Sequence, residues 1–442
     1  MRPDRCRWGK TWEVRLPSTV GAAVSAANIP WWKEPTRDQW FAFIAGWLGW
    51  TLDAFDFTLF LLIMEPISKA FNVPLTSVVW AITLTLWMRI VGGVANGWLA
   101  DRIGRKRPLM LSIVWYSACN FIAGFAPSFW FLFLFRALLG IGMGAEWPVG
   151  ASLAMESWPA RSRGFMAGVM QGGWGLGFLL SSATYGLLYN VVGWRGMLWI
   201  GVAPALVLVY IVRYVKEPPV WLENRRLQRL QKREVRIPLF SIFKPGMLGN
   251  TLNALWWTAS SALVSYSLNL FATHLQVDLH LSPALVATPI MLGNLAFFVA
   301  CAGWGWVADR IGRRWTLIII AAVGIPLTPI YLLTDSYVLI VVGMLLQGFF
   351  AGGGINSQNA SYMTERFPTE VRATASGFCY QAGIALAGLV APAITYFATV
   401  RHMGFAMPML IAGVVGCVSF IAAVYMGPET KGKILGAELE VV

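Results

Sequence analysis

The chain has 442 residues, of which 57% are hydrophobic and only 12% are charged, and its mean hydropathy is +0.61. A soluble protein needs about 25% charged residues, so most of this surface must face something other than water. The net charge of +13 is better explained by basic loops beside a membrane than by a nucleic-acid partner, which we do not expect.

Twelve apolar segments follow one another, each long enough for a bilayer crossing, which takes about 20 residues. The predicted spans are 40–65, 76–100, 108–126, 129–152, 164–190, 195–214, 248–273, 284–308, 315–333, 337–361, 371–398 and 404–426. They predict an all-α integral membrane protein with two six-helix bundles. The predicted divisions are a tail 1–39, a bundle 40–214, a linker 215–247, a bundle 248–426 and a tail 427–442.

Lysine and arginine are concentrated in alternate connectors between the spans. Cytoplasmic loops of membrane proteins carry such an excess, so the rich connectors are predicted to be cytoplasmic. An even number of spans then places both termini on the cytoplasmic side. The rich connectors are 102–107, 161–163, 310–314 and 366–372, together with the basic run 225–236 of the linker.

Two connector motifs occur once in each half. Gly97-Trp-Leu-Ala-Asp101-Arg102-Ile-Gly104-Arg105-Lys106 recurs as Gly305-Trp-Val-Ala-Asp309-Arg310-Ile-Gly312-Arg313-Arg314, 208 positions later. The connector from Glu156 to Arg163 recurs from Glu365 to Arg372, at an offset of 209. Two independent motifs at nearly the same offset indicate an internal duplication.

We predict that these connectors form a conformational latch that closes the cytoplasmic side in one state. Asp101 is expected to cap a neighbouring helix and to pair with an arginine such as Arg163. The alternative is a plain loop that satisfies its own charges. The predicted latch residues are Gly97, Asp101, Arg102, Gly104, Arg105, Glu156, Arg163, Asp309, Arg310, Arg313, Glu365 and Arg372.

The repeated motif G-x-x-x-D-R-x-G-R-[RK] resembles the signature loop of the major facilitator superfamily. Lys216-Glu-Pro-Pro-Val-Trp221-Leu and Pro428-Glu-Thr-Lys-Gly432 are similar to the signals that end the two halves of sugar-porter-like members. The resemblance covers the span pattern, both loops and the linker. It implies an alternating-access carrier with its substrate site between the halves near mid-membrane.

Three segments most resemble the sialate:proton symporter branch, which includes sialic-acid and monocarboxylate carriers: 49–57, 87–93 and 140–150. Aromatic-acid:proton symporters share a similar first span with two aspartates and are the nearest alternative. Span seven lacks the His-x-[ST]-Gln-Asp core of fungal lactate carriers, which argues against lactate.

Ionisable residues inside a membrane are expensive and are functional candidates by default. Asp53 and Asp56 are three residues apart and share one face of span one. Two carboxylates that close resist ionising together, so one of them is predicted to carry a proton near neutral pH. The alternative is a helix-packing role. Glu146 in span four is predicted to act in coupling or gating.

Arg89 lies about thirteen residues into span two and must pair with a span-one aspartate or with a substrate carboxylate. Arg136 is a second candidate, with a structural or coupling role as its alternative. The second half offers mainly neutral groups, of which we expect two or three to touch substrate. The remaining predicted substrate-binding residues are Gln171, Trp174, Trp257, Tyr266, Asn269, Gln347, Asn356, Tyr380 and Gln381.

Other groups carry weaker expectations. His274, His280 and His402 lie at or beyond the extracellular ends of spans and are expected to be solvated. The scattered cysteines predict neither disulfides nor a metal site. A Ser/His/Asp set, an H-E-x-x-H motif and a Walker loop are all absent from the sequence, so neither an enzyme nor an ATP-driven pump is expected.

The predicted function is proton-coupled symport of an organic anion, a carboxylate, by alternating access. The carrier is expected to lie in the plasma membrane of a bacterium, the inner membrane, and to work as a monomer with protons and no other cofactor. Alternatives are an aromatic-acid:proton symporter, a sugar or polyol porter, and a proton-coupled drug exporter. The exporter signal in span five normally contains a proline that is missing after Gly172.

Overall fold

The computed structural model describes residues 30–231 and 238–436, and its regular structure there is entirely helical. The first half and linker contain α1 (Arg37–Leu62), α2 (Met64–Phe71), α3 (Leu75–Ile103), α4 (Lys106–Ala123), α5 (Phe129–Glu156), α6 (Arg163–Ile200), α7 (Ala205–Tyr214), α8 (Pro219–Leu230) and α9 (Pro238–Ser241). The second half contains α10 (Pro245–Ser267), a 3-10 turn (Leu268–Leu270), α11 (Phe271–Val277), α12 (Pro283–Ile311), α13 (Arg313–Leu332), α14 (Tyr337–Gln347), a π-helical turn (Gly348–Gly354), α15 (Asn359–Arg366), α16 (Arg372–Ala387), α17 (Val390–Thr399) and α18 (Ala406–Met426).

Eight helical runs among the described residues are long and apolar enough to cross a membrane, and α1 with α2, bent by 48°, makes a ninth. The run Arg163–Tyr214 holds two predicted spans, five and six. Gly193 interrupts it with a left-handed backbone (φ 63°), which only glycine adopts readily. Predicted spans three and seven correspond to α4 and α10, which are less apolar, so the count of twelve stays a prediction.

The two halves meet along two helix pairs, α3 with α16 and α6 with α12. Glycines bring the backbones together: a Cβ at Gly377 would lie 2.3 Å from the Gly93 carbonyl oxygen, and one at Gly168 would lie 1.9 Å from that of Cys301. A Cβ at Gly186, further along α6, would meet nothing within 4 Å. The halves are therefore closed at the end that carries the duplicated loops, which we call the loop end.

The close packing of α3 against α5 predicts how a substitution at Gly92 will change the stability of the protein. A Cβ at Gly92 in α3 would lie 1.8 Å from the backbone oxygen of Ile141 in α5, where no side chain can move aside. Gly92→Ala should lower the free energy of unfolding by about 1–3 kcal/mol, the usual cost of overpacking. Gly186→Ala, a helical site with open space, is the matched control and should be neutral or slightly stabilising. Thermal unfolding of the purified protein measures both, and equal losses would contradict the packing argument.

Candidate functional site

A buried ion pair lies in the interior of the first half. Nη2 of Arg89 in α3 donates to Oδ2 of Asp53 in α1 over 2.8 Å, and the two side chains are 2% and 0% exposed. Of the two span-one aspartates, Arg89 therefore pairs with Asp53 rather than Asp56. Arg89 Nε and Asp53 Oδ1 have no hydrogen-bond partner among the described residues, so each side chain keeps capacity for another ligand.

Three further ionisable side chains surround this pair. The Glu146 carboxylate occupies the space beside Gly49, where a Cβ would lie 2.1 Å from Oε1. Asp56 lies one turn beyond Asp53 on α1, and the Arg136 guanidinium lies 3.9 Å from the centre of the Phe60 ring. The side-chain oxygens and nitrogens of Glu146, Asp56 and Arg136 lack hydrogen-bond partners within residues 30–231 and 238–436.

The charge of this cluster is unbalanced when every group is ionised. Asp56 interacts electrostatically with Asp53 and Arg136, and Glu146 interacts with Asp53 and Arg89. Three carboxylates thus share two guanidinium groups, and all five side chains are buried. Because an uncompensated buried charge is costly, the cluster becomes neutral when one carboxyl holds a proton.

Aromatic rings from both halves meet beside the charges. Trp147 in α5 stacks on Tyr380 in α16, with ring centres 3.7 Å apart and planes 12° from parallel. Trp50 lies 4.6 Å from Trp174 and 6.4 Å from Tyr380. Gln171 accepts a bond of 3.4 Å from the Trp147 indole nitrogen. Four side chains of the first half, of which Gln171 and Trp174 were predicted, thus form one cluster with Tyr380 of the second half.

Arg89 also faces the second half. Tyr266 and Tyr380 both lie close enough to interact electrostatically with its guanidinium. Gln381 Nε2 donates to the Gly144 carbonyl oxygen over 2.9 Å, which joins α16 to α5 beside the ring stack. The arginine consequently lies between the carboxylates of one half and the hydroxyl groups of the other.

The structure separates some predicted substrate-binding residues from this group. Trp257, in the middle of α10, packs edge-on against Tyr362, with ring centres 5.1 Å apart. Asn269 is exposed in the 3-10 turn that follows α10. Asn356 donates to Ser265 over 3.2 Å. Gln347 is buried at the end of α14, where its Oε1 has no partner in the described part of the chain.

Sequence reasoning did not assign Trp50 or Trp147 to the site, although signals for both were present. Trp50 precedes Asp53 by three residues and therefore shares its helix face. Trp147 directly follows Glu146. Their ring contacts depend on how α1, α5 and α6 are rotated about their axes, which no single segment determines.

The expectation that His274 is solvated was wrong. Its side chain is 2% exposed, and Nδ1 lies 2.8 Å from Oδ2 of Asp278, which also accepts the Phe405 backbone N–H. The 3-10 turn and short α11 fold this histidine back under the helix ends. His280 and His402 are exposed, as expected.

At the loop end, an aspartate of each half caps a helix of the other. Asp101 accepts the backbone N–H groups of Ala373 (3.1 Å) and Thr374 (2.9 Å) at the start of α16. Asp309 accepts those of Gly164 (2.9 Å) and Phe165 (2.8 Å) at the start of α6. Helix N-termini carry a partial positive charge, so both caps bind the halves together.

Ion pairs extend the first cap into a network. Arg105 bonds Asp101 Oδ1 over 2.8 Å and Glu156 Oε1 over 2.7 Å. Arg372 of the second half also bonds Glu156 Oε1, over 3.1 Å. All four side chains are almost completely buried, so their bonds are little screened by water.

The second network repeats this arrangement. Arg313 bonds Asp309 over 2.6 Å and Glu365 over 3.3 Å. Arg163 of the first half reaches Glu365 over 3.3 Å. The predicted pairing of Asp101 with Arg163 was therefore wrong: because the halves are related by duplication, each arginine crosses to the other half's glutamate.

Arg102 and Arg310 do not join the two networks. Both are exposed and lie over the rings of Trp98 and Trp306, at 5.7 and 3.3 Å. Gly97 contributes by close approach, since a Cβ there would lie 2.7 Å from the Ala373 carbonyl oxygen.

Two glutamates stabilise the turns at Gly104 and Gly312, which lead into the arginines of these networks. Neither glutamate was among the residues predicted from the motifs. Glu217 accepts the backbone N–H groups of Arg105 and Lys106, and Glu429 accepts those of Arg313 and Arg314. They belong to the segments Lys216-Glu-Pro and Pro428-Glu-Thr that end the two halves. Gly104 and Gly312, with φ of 109° and 108°, let the chain turn against them. Burial raises the pKa of the Glu217 carboxyl, against the lowering effect of the N–H groups it accepts.

A model of the Major Facilitator Superfamily matches residues 46–379 and again residues 258–439. The chain belongs to this superfamily. Its helical architecture and its class, a membrane transporter rather than an enzyme, are thereby confirmed.

Several characterised or named transporters are similar over nearly their full lengths. A probable 4-methylmuconolactone transporter of Cupriavidus pinatubonensis is 30% identical and covers 91% of this chain and 93% of its own. The cis,cis-muconate transport protein of Acinetobacter baylyi is 28% identical, over 80% and 86%. The sialic acid transporter NanX of Escherichia coli is 24% identical, over 91% and 97%, in agreement with the predicted sialate-like branch.

The solved structure of the proton:xylose symporter XylE is similar in fold, with a TM-score of 0.71 over 90% of this chain and 98% of that one. At 19% identity this likeness concerns the fold alone.

Proposed function

We propose that the protein is a proton-coupled symporter of an organic carboxylate. The observation that carries this proposal is the buried Arg89–Asp53 pair, which faces Tyr266 and Tyr380 of the second half. A guanidinium is the side chain best matched to a carboxylate, because it offers two parallel N–H donors.

The Arg89–Asp53 pair couples substrate binding to proton binding, because the substrate replaces Asp53 as the partner of Arg89. A substrate carboxylate that binds Arg89 takes the place of the Asp53 carboxylate. Asp53, which then lacks a counter-ion in a dry environment, takes a proton. Substrate and proton therefore bind together and leave together, which is the condition for symport. Asp56 and Glu146, which lie beside the pair without hydrogen-bond partners among the described residues, provide positions for the proton on its way.

The relatives support an acidic substrate. Muconate and sialic acid, named for two similar transporters, are carboxylic acids. An Arg89 site accounts for such ligands, whereas a neutral sugar or polyol makes no use of a buried guanidinium. The relatives also support a bacterial inner-membrane location, since an inner membrane metabolite transport protein of Escherichia coli is 26% identical.

The ring cluster favours the nearest alternative named from the sequence, in which the substrate is an aromatic or otherwise planar acid. Trp50, Trp174 and the Trp147–Tyr380 stack form a cluster of flat apolar rings, of which Tyr380 interacts electrostatically with Arg89. Offset ring stacking adds about 0.5–1.5 kcal/mol beyond burial of area, which a planar acid gains and a small saturated acid does not.

The substitution Arg89→Lys tests the carboxylate site. Lysine keeps the charge but loses the two-pronged geometry, so the KM for a labelled carboxylate should rise about tenfold or more, equivalent to about 1.4 kcal/mol. The measurement is uptake into proteoliposomes under an imposed proton gradient. Muconate, benzoate and sialic acid are suitable probes.

Arg102→Lys is the matched control, because Arg102 is an exposed arginine of the loop end. Its KM should equal that of the unaltered protein. An unchanged KM in Arg89→Lys would exclude direct recognition of the carboxylate by this arginine.

A further inference from the structure

A cavity of about 540 Å³ lies at the loop end of the second half, away from the mid-membrane charges. The start of α10, the end of α15 and the segment 427–433 surround it. Its polar lining includes Asn250, Asn253, Arg366, Thr430 and Lys433. The mechanism proposed above uses none of these side chains.

Arg366 is the unusual member of this lining. It is only 6% exposed, and its guanidinium lies 4.6 Å from the centre of the Tyr362 ring. Its Nη2 donates to Asn253, but Nε and Nη1 have no partner among residues 30–231 and 238–436. Arg366 makes no ion pair there either. A buried guanidinium without a counter-ion is costly, so the position favours an anion from outside the chain.

The two acidic groups of the lining are already committed. Glu365 accepts from Arg163, Arg313 and Thr430, and Glu429 accepts four backbone N–H groups. The charged side chains of the lining that keep free donors for a ligand are therefore both basic: Arg366 and the exposed Lys433.

The duplicated first half provides an internal comparison. Ser157 stands where the second half has Arg366, and its carbonyl oxygen accepts from Gln39 over 2.5 Å, as that of Arg366 accepts from Asn250 over 3.0 Å. The aromatic residue that follows is buried in both halves, as Trp158 and as Phe367. The same backbone arrangement thus carries a serine in one half and a buried arginine in the other, so packing alone does not require the arginine.

We propose that this cavity binds a phosphate group, either of a soluble compound or of an acidic phospholipid headgroup. Arg366 and Lys433 would neutralise its charge, and the Asn250 side chain would complete the hydrogen bonding. Because Arg366 directly follows Glu365, an occupied site stabilises the loop-end network in which Glu365 takes part.

The purified full-length chain tests this by thermal unfolding. Sodium phosphate should raise the unfolding temperature saturably above that in sodium chloride of equal ionic strength. The rise should disappear in Arg366→Gln and shrink in Lys433→Ala, an exposed site whose substitution leaves the fold intact. It should persist in Arg107→Gln, an exposed basic residue outside the cavity, and in Arg89→Gln, which removes the mid-membrane anion site.

The lipid source is tested in nanodiscs of phosphatidylglycerol against phosphatidylcholine. Stabilisation by phosphate in detergent that depends on Arg366 and Lys433 supports a soluble ligand. Stabilisation only by phosphatidylglycerol, with the same dependence, supports the headgroup. If neither probe stabilises the protein, or if both cavity variants respond as the unaltered chain does, the proposal is wrong.

Discussion

Asp53→Asn should abolish accumulation of a labelled carboxylate against its gradient when a proton gradient is imposed. Asparagine holds the shape of the side chain but takes no proton, so the internal concentration should rise only to the external one. Exchange of internal for external substrate needs no net proton movement and should continue. Uptake and exchange in the same proteoliposomes measure the two effects.

The substitution also leaves Arg89 buried without its carboxylate. Removal of one partner from a buried pair typically costs about 3–5 kcal/mol, so Asp53→Asn should also unfold at a lower temperature. The double variant Asp53→Asn with Arg89→Gln removes both charges and should regain much of that stability, although it lacks the substrate site. Continued exchange by Asp53→Asn itself, rather than transport by the double variant, separates loss of coupling from loss of fold.

Asp56→Asn is the matched control for the carboxylate. Asp56 forms no ion pair within the described residues, and without it Asp53 and Glu146 still balance the charges of Arg89 and Arg136. We expect Asp56→Asn to retain accumulation at a reduced rate. Full accumulation by Asp53→Asn, or a complete loss confined to Asp56→Asn, would move the proton to another carboxyl and contradict the exchange of Asp53 for substrate.

Asp101→Asn should open the loop end. The change weakens the bonds to Ala373 and Thr374, which join the halves in the closed state, and the bond to Arg105 within the first half. A hydrogen bond to a charged group contributes about 1.5–3 kcal/mol, and each 1.4 kcal/mol is a factor of ten in a population ratio. The ratio of closed to open molecules should therefore fall about tenfold or more, while the mid-membrane site is left unchanged.

Spin labels report the opening as a longer interlabel distance. They are placed at two exposed positions, Arg107 in α4 of the first half and Lys244 just before α10 of the second half. Asp309→Asn, the duplicated counterpart, should lengthen this distance as well, because Asp309 caps α6 in the same way. Arg102→Gln should not, because its side chain is exposed and outside the networks. Unchanged distances in both aspartate variants would show that the loops close the protein by packing alone.

Local patterns in the sequence were sufficient for the helical architecture, for the duplication and for the choice of charged candidates. The reason is that hydropathy, helix-breaking glycines and repeated motifs depend on neighbours along the chain. The motif that contains Gly97 and Asp101 indicates a cap on a neighbouring helix, because a short acidic side chain suits a helix N-terminus. Likewise, Arg89 lies too deep in an apolar segment to remain without a partner.

The partners themselves were decided only by tertiary structure. Asp53 and Asp56 are equivalent by spacing, and the rotation of α1 against α3 turns Asp53, not Asp56, towards Arg89. The same holds for Arg163, which crosses to Glu365 because the two halves pack as a duplicated pair. His274 is buried because the chain folds back at α11, and Trp147 of the first half meets Tyr380 of the second. The sequence by itself determined which groups are costly to bury, since that depends on each residue; which group relieves the cost depends on helix rotation and packing across the whole fold.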